Sequence, residues 1–338
     1  MISITDTTII YILCPANFAT GGPEALHQLG AQLLLNDYKV YMYYHDFNNK
    51  EHDTPVHKNY VNYNMPYVLE VQNAPENVII FPETFCLLLW DKKYSKLQKV
   101  IWWLSVTNFI ISYENAKKYF EKKSFYAIKK YFKDYPIPSM DRVKNTKCFH
   151  IAHSYFSIDY LKKNNVPVLC QVSDYMNDRF LSGDDFRIQK ENLIIYNPIK
   201  NGPFLEKIKE RTADLKWIAL DRSLSPSEVL EYMKKAKVYI DFGFHPGKEK
   251  MPRESCLMDC CLIIGKDGSA QFKEDMPILD QYHFEKEDSN IDAIVAKVRD
   301  CLTNYEQNIE NFSNYKQVLL KEKEVFAQAV SNLFKKEN

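Results

Sequence analysis

The feature that most constrains the fold is an alternation between short apolar runs rich in β-branched residues and segments of helical periodicity. The first run, Ile9–Leu13, predicts a buried strand, and the leucines that follow from Leu26 to Leu34 share one helical face. The alternation breaks at the polar stretch 173–191 and restarts with a strand over residues 192–196. We therefore predict two parallel α/β halves, joined by a polar hinge and closed by C-terminal helices.

The same patterns predict the remaining elements. A Ser-Pro-Ser-Glu run at residues 225–228 predicts the start of a helix, with serine as the cap, proline at the first position and glutamate at the third. Other helices are predicted over residues 157–163 and 252–259. Further strands are predicted over residues 39–44, 78–81, 100–104, 150–152, 168–172, 215–220, 237–242 and 261–264.

Length and composition exclude several classes of protein. A chain of 338 residues suits two domains, and 46% hydrophobic with 26% charged residues is a globular composition. Lys plus Arg equals Asp plus Glu at 44 each, so no overall field attracts nucleic acid. We therefore expect no nucleic-acid partner. We also expect no secretory signal, and no transmembrane helix, because no apolar run reaches about 18 residues. Eight cysteines without a CxxC pair are typical of reduced thiols, so we expect a cytoplasmic protein.

The adjacent glycines Gly21 and Gly22 lie between the first strand and the first helix. Glycine lets a ligand approach the backbone closely, and the helix start offers free N–H groups. Neither GxGxxG nor GxxxxGK[ST] is present, which argues against a dehydrogenase and a P-loop ATPase. Two interpretations stay open: a ligand-binding turn and a tight strand-to-helix connection.

The loop after the predicted strand 237–242 concentrates polar groups. In an open α/β sheet, ligands bind outside the carboxyl ends of the strands. His245, Lys248 and Arg253 would lie there beside a helix start and could bind a pyrophosphate, and Glu254 could accept hydrogen bonds from a ribose. The alternative for Glu254 is that it only stabilises the helix dipole.

A second loop, residues 196–203, follows the first strand of the second half. By the same rule Lys200 would point toward a ligand at the strand ends. A single lysine in a loop is usually solvated, so Lys200 gains weight only from its neighbours.

In the first half, Trp102 and Trp103 end a predicted strand, and we interpret at least one of them as core. The following loop, with Ser105, Thr107 and Asn108, is a candidate lining for a binding cleft.

Two histidines, His150 and His153, lie three residues apart on and after another predicted strand. Without further ligands they do not predict a metal site. His153, just past the strand, could act as an acid or base.

These motifs, in this order, resemble the nucleotide-sugar glycosyltransferases of the two-Rossmann-domain, or GT-B, fold. The resemblance covers essentially the whole chain and is nearest to the retaining family 4, which includes many bacterial polysaccharide enzymes. Gly21-Gly22 resembles that family's first glycine loop. Residues 197–202 resemble its Arg-x-x-x-Lys-Gly element, with Lys200 as the diphosphate-binding lysine and Asn197 in the donor site, although the family's arginine is missing. Glu254 takes the place of its ribose-binding glutamate.

The resemblance implies two Rossmann-like domains that face each other across a cleft, with C-terminal helices crossing back to the first domain. Residues 1–180 would form the acceptor domain and residues 190–310 the nucleotide-sugar donor domain. Residues 311–338 would pack back on the N-terminal domain.

One departure from the family affects the chemistry. The family has a second glutamate eight residues before the ribose-binding one, and here that position is Pro246. His245 or Glu249 could take over the contact, so retention and inversion both stay open. The resemblance implies a metal-independent reaction without a cofactor, in which Lys200, Lys248 and Arg253 stabilise the departing diphosphate, and we expect His245 and His153 to act in catalysis.

The expected function is transfer of a sugar from a nucleoside-diphosphate sugar to a surface polysaccharide or a lipid-linked glycan. The basic, aromatic segment 113–135 fits either peripheral contact with the cytoplasmic face of the membrane or a solvated amphipathic helix. The alternatives are a nucleotide-sugar epimerase on the same fold and a catalytically silent binding subunit.

Overall fold

A computed structural model describes residues 2–121, 139–181 and 188–336. The chain divides into two compact units. Unit 1 comprises Met1–Asp174 and Glu324–Asn338, and unit 2 comprises Tyr175–Lys323. The chain passes from unit 1 to unit 2 at the start of the polar stretch 173–191.

Unit 1 is built on a six-stranded sheet in the order β3-β2-β1-β4-β5-β6. All pairings are parallel, and the central strand β1 is nearly continuous in apolar residues because helices cover both faces of such a sheet. The strands are β1 (Ile9–Leu13), β2 (Lys39–Tyr43), β3 (Tyr67–Val68), β4 (Val78–Pro82), β5 (Gln98–Trp103) and β6 (Phe149–Ala152). The α-helices described before the hinge are α1 (Gly21–Leu35), α2 (Val106–Glu121), α3 (Met140–Lys144) and α4 (Tyr155–Lys163).

Unit 2 is built on a five-stranded parallel sheet in the order β11-β10-β9-β7-β8. Its strands are β7 (Glu191–Tyr196), β8 (Lys216–Ala219), β9 (Ala236–Asp241), β10 (Cys261–Gly265) and β11 (His283–Phe284). Its helices are α5 (Pro198–Glu210), α6 (Pro226–Lys235), α7 (Lys250–Leu257), α8 (Ile291–Thr303), α9 (Tyr305–Ile309) and α10 (Ser313–Leu320). The predicted capping box is present at the start of α6: the Ser225 hydroxyl accepts from the Glu228 N–H, and the Glu228 carboxylate accepts from the Ser225 N–H.

The last helix, α11 (Glu322–Leu333), begins in unit 2 and continues in unit 1. Within unit 1, the Asn36 side chain donates to the Ser331 hydroxyl over 3.1 Å, and Lys336 pairs with Asp6 at 2.9 Å. The predicted fold class of two Rossmann-like α/β domains is confirmed. Of the predicted C-terminal segment 311–338, residues 324–338 belong to the first unit and residues 311–323 to the second.

Two local predictions change. Residues 168–172 form no strand element, although they run alongside β6: one bridge joins Gln171 to Ala152, and three backbone hydrogen bonds of 2.8–3.1 Å link Leu169, Cys170 and Val172 to β6. The predicted loop after Trp103 is the first turn of α2, where the Ser105 hydroxyl accepts the Asn108 N–H at 3.3 Å. Trp102 and Trp103 are both fully buried.

Among the described residues, no helix combines the length and the apolar character needed to span a bilayer. The basic segment 113–135 enters α2, which is described to Glu121; the remainder, residues 122–135, lies outside the described residues.

Candidate functional site

Each sheet has one point where the order of strands along the chain reverses direction. In unit 1 this point lies between β1 and β4, and in unit 2 between β7 and β9. Loops that leave the carboxyl ends of two such strands run in opposite directions and leave a crevice, which is where ligands bind in open α/β sheets. We call the sheet edge at these strand ends the carboxyl edge of each unit.

At the carboxyl edge of unit 2, the loops after β7 and β9 are hydrogen-bonded together. The Asn201 carboxamide accepts from the Phe242 N–H at 2.5 Å and donates to the Asn197 carbonyl at 2.8 Å. The Asn197 side chain caps α5 by accepting from the Ile199 N–H at 3.0 Å. Asn197 therefore shapes this edge through its helix-capping bond.

Lys200 lies beside Gly243 at this edge. A Cβ on Gly243 would come within 2.6 Å of the Lys200 Cβ and 3.0 Å of its carbonyl oxygen, so only glycine fits there. The Lys200 ammonium binds the Glu249 carboxylate, and both side chains are about one-quarter exposed. Lys200 is therefore not a singly solvated lysine: its ammonium group is paired with the carboxylate of Glu249.

Lys248 and Arg253 share one carboxylate, that of Glu322. The Lys248 ammonium is 2.8 Å from Glu322 Oε1, and Arg253 Nη1 is 3.0 Å from Glu322 Oε2. Arg253 is 1% exposed and also donates to the carbonyls of Lys248 and Glu249. Arg253 therefore ties the loop carbonyls to Glu322, and its direct contact with a phosphate stays a prediction.

His245 is fully buried, and its catalytic role stays a prediction. Its Nε2 lies 3.5 Å from Asp241 Oδ2, and its carbonyl accepts from the Ser269 N–H at 2.8 Å. Burial raises the pKa of Asp241, but His245 and the bonds from the Gly243 N–H and Tyr239 hydroxyl outweigh it and leave that pKa below its usual value. His245 and Asp241 are therefore buried residues that stabilise the loop after β9 by contacts within unit 2.

Glu254 is half-buried within α7, one turn from the helix start. Glu249, the N-cap residue of the same helix, makes no capping hydrogen bond with its side chain. The start of α7 therefore presents its first N–H groups at the carboxyl edge without a side-chain cap.

At the carboxyl edge of unit 1, α1 begins at Gly21. A Cβ on Gly22 would meet only the Leu104 side chain, at an ordinary 3.7 Å, so neither crowding nor a positive φ requires glycine there. The turn before it is fixed by Tyr60, whose hydroxyl donates to the Thr20 carbonyl at 2.8 Å. Burial lowers the pKa of the nearby His27 to about 4, so this histidine is neutral.

Glu83, which the sequence analysis missed, directly follows β4 at this edge. Its carboxylate accepts from the Leu104 N–H at 2.9 Å, and it also bonds the Ser105 N–H and the Asn108 side chain. Burial raises the pKa of Glu83 to about 7, against the lowering effect of these bonds. The sequence does indicate Glu83 as a candidate, because it is an acidic residue directly after an apolar strand, where ligands bind in open α/β sheets.

His153 and Asp174 form a dyad at the end of β6. His153 Nε2 is 3.0 Å from Asp174 Oδ1, and both side chains are nearly buried. The His153 N–H donates to the Trp103 carbonyl at 3.0 Å, which places the histidine beside the strand end that carries Ser105. His153 Nδ1 has no hydrogen-bond partner among the described residues.

Of the remaining predicted residues, Ser105 is 8% exposed, Thr107 is half-buried and Asn108 is exposed. His150 accepts from the Trp103 indole at 3.1 Å, and burial lowers its pKa to about 4. Within the part of the chain that the structure describes, no group of three His, Cys, Asp or Glu side chains is arranged to hold a metal ion.

No family model matches the sequence, and a search of curated proteins gives no match. Solved structures do match. HepE from Anabaena in complex with UDP is 8% identical, with a TM-score of 0.65 over 97% of this chain and 99% of that one. Sucrose-phosphate synthase from Thermosynechococcus elongatus is 12% identical, with a TM-score of 0.64 over 97% and 98%.

A point mutant of S. aureus TarM, in complex with fondaparinux, α-GlcNAc-glycerol and UDP, is 12% identical. Its TM-score is 0.53 over 78% of this chain and 56% of that one. At these identities the likeness concerns the fold. The chain has the GT-B fold, the fold of these nucleotide-sugar enzymes.

Proposed function

We propose that the chain is a glycosyltransferase that moves a sugar from a nucleoside-diphosphate sugar to a glycan acceptor. The observation that carries the proposal is the cluster of Lys200, Lys248 and the uncapped start of α7 at the carboxyl edge of unit 2. It lies at the strand reversal of a sheet whose fold is shared with structures solved with UDP.

The donor diphosphate binds Lys200 in exchange for part of the contact of Lys200 with Glu249, and it binds Lys248 while Lys248 keeps its contact with Glu322. When the sugar leaves, negative charge builds up on the diphosphate, and fixed cations stabilise this charge without reorganising. Glu254 binds the ribose, and Arg253 acts by holding the loop. Gly21 and Gly22 stay predicted donor-binding residues, and neither packing nor a positive φ requires glycine at position 22.

The acceptor binds at the carboxyl edge of unit 1, near Ser105, Thr107 and Asn108. The His153–Asp174 dyad accepts the proton of the attacking hydroxyl: the carboxylate orients the imidazole through Nε2, and the buried Nδ1 is the nitrogen without a partner among the described residues. A base of this kind permits direct displacement with inversion, a route that the proline at position 246 leaves open. The reaction we propose uses no metal and no cofactor.

The acceptor class we favour is a surface polysaccharide or a lipid-linked glycan, as the family resemblance implies. Segment 113–135 is the part of the chain that would contact the membrane if the acceptor is lipid-linked. Binding to vesicles that contain anionic lipid, compared with neutral vesicles, would test that contact.

The test is a thermal-shift screen of the purified protein against nucleoside mono- and diphosphates and nucleotide sugars. A ligand that binds only the folded state stabilises it by about 2.7 kcal/mol at a hundredfold excess over Kd. We expect one diphosphate and its sugar to raise the Tm, and slow release of that diphosphate from the sugar. A shift without any turnover would favour the silent binding subunit, conversion of the bound sugar would favour the epimerase, and no shift would contradict the donor site.

A further inference from the structure

The first residue of α11, Glu322, lies against the loop between β9 and α7 of unit 2, although it is 69 residues from Arg253 in sequence. Its two carboxylate oxygens bind different cations, Oε1 the Lys248 ammonium at 2.8 Å and Oε2 the Arg253 guanidinium at 3.0 Å. Glu322 is 6% exposed, so neither contact is that of a surface ion pair.

The contact with Arg253 reaches the loop backbone. The same guanidinium donates from Nη2 to the Lys248 carbonyl at 3.0 Å and from Nε to the Glu249 carbonyl at 3.2 Å. Glu322 therefore holds the Lys248 side chain directly and the backbone at Lys248 and Glu249 through Arg253. These two residues immediately precede α7 and its uncapped N–H groups.

The charges of Arg253 and Glu322 hold these two side chains in a defined geometry. A buried guanidinium needs a partner, because removal of one member of a buried pair leaves the other charge uncompensated. Planar guanidinium groups also bind carboxylates with defined geometry. Arg253 and Glu322 are thus fixed relative to each other, whereas Lys248, with a single ammonium group as its charge, keeps one-tenth of its side chain exposed.

We propose that Glu322 is a positioning residue for the donor diphosphate: it fixes the loop before α7 and aligns the Lys248 ammonium toward the carboxyl edge of unit 2. The inference rests on the proposed function, because it assigns a residue of the last helix to the same donor site. It places a determinant of nucleotide affinity at the point where the chain leaves unit 2 for unit 1.

The experiment compares Glu322→Gln with Glu324→Gln, which changes an exposed glutamate on the same helix. Calorimetric titration at about 15 °C, well below the Tm, measures the Kd of UDP and of UMP for the full chain. We expect Glu322→Gln to weaken UDP about tenfold and UMP less than about threefold, since Lys248 acts on the diphosphate. Glu324→Gln leaves both values within about twofold of the wild type.

A purely structural role for Glu322 would lower the Tm and leave the UDP-to-UMP affinity ratio unchanged, which would overturn the inference. Tighter UDP binding by Glu322→Gln would also overturn it, because Glu322 would then compete with the phosphate. If that variant does not fold, Glu322→Asp keeps the charge on a shorter side chain, and it must still weaken UDP more than UMP. If the wild type binds none of UDP, GDP and ADP, the proposed function itself fails.

Discussion

The carboxyl edges of the two units share one architecture and carry opposite chemistry. In unit 2 the strand ends hold lysines matched with carboxylates, as in Lys200–Glu249 and Lys248–Glu322. In unit 1 they hold a nearly buried His153–Asp174 dyad and the buried acid Glu83. The first set suits binding of an anion, and the second suits holding or moving a proton. We propose that the two edges serve two tasks, decided by the residues that follow each strand.

The largest expected effect separates the two edges by kinetics. His153→Gln should lower turnover at least about a hundredfold, the usual contribution of a positioned base, and leave the affinity for nucleoside diphosphate unchanged. Release of the diphosphate from the nucleotide sugar in the presence of acceptor measures the rate. His52→Gln, at an exposed histidine of the same unit, is the control. A loss of nucleotide affinity in His153→Gln would contradict the division of tasks.

The buried acid of unit 1 should make stability depend on pH. Unfolded Glu83 loses its proton near pH 4.5, whereas the folded state keeps it up to about pH 7. The folded state therefore holds more protons across this window, and its unfolding free energy should fall as pH rises. The contribution is about 3 kcal/mol at 1.36 kcal/mol per pKa unit.

Urea unfolding of the wild type and Glu83→Gln between about pH 4 and 8 checks this, because the difference between the curves isolates Glu83. Asp241 of unit 2 should act in the opposite direction: its pKa is lowered, so its contribution is present above pH 3.8 and is lost as pH falls further. Parallel curves for Glu83→Gln and the wild type would show that folding leaves the pKa of Glu83 unchanged, and would contradict the prediction.

One glycine at the carboxyl edge of each unit allows a comparison of how tightly the two edges are packed. Gly243→Ala in unit 2 should destabilise the protein by about 1–3 kcal/mol, the usual cost of overpacking, because its Cβ would overlap the Lys200 Cβ. Gly22→Ala in unit 1 should leave the unfolding free energy nearly unchanged, since its Cβ meets only Leu104 at 3.7 Å. Urea titrations measure both, and equal destabilisation would refute the packing argument.

Local patterns were enough to predict most of the sheet strands and the start of α6, because apolar runs and caps act over a few residues. Because ligands bind at the carboxyl ends of strands, the sequence predicted that the loop with Asn197 and Lys200 lies beside the loop with Lys248. The two loops are indeed hydrogen-bonded and ion-paired to each other. The role of Arg253 could not be predicted, because its burial depends on Glu322, 69 residues later. Likewise, the partner of His153 lies 21 residues away in the polar hinge.

The two short strands at the sheet edges show the same limit. Residues 67–68 and 283–284 are too short for a periodicity, and they pair only because β2 and β10 present open edges to them. Residues 168–172 have strand composition and hydrogen-bond to β6, but they form one bridge and no strand element. Whether a segment forms a strand therefore depends on the neighbouring strand it can pair with, and β-type composition alone does not decide it.

The central claim is that the carboxyl edge of unit 2 binds a nucleoside diphosphate through Lys200. The most direct measurement is the Kd of UDP, or of the diphosphate that stabilises the wild type, for Lys200→Gln and for Lys207→Gln. Both lysines lie on α5, but Lys207 pairs with Asp288 at 2.7 Å on the surface. The account predicts at least about a tenfold loss of affinity for Lys200→Gln and less than about a twofold change for Lys207→Gln. Equal affinity of Lys200→Gln and the wild type would contradict it.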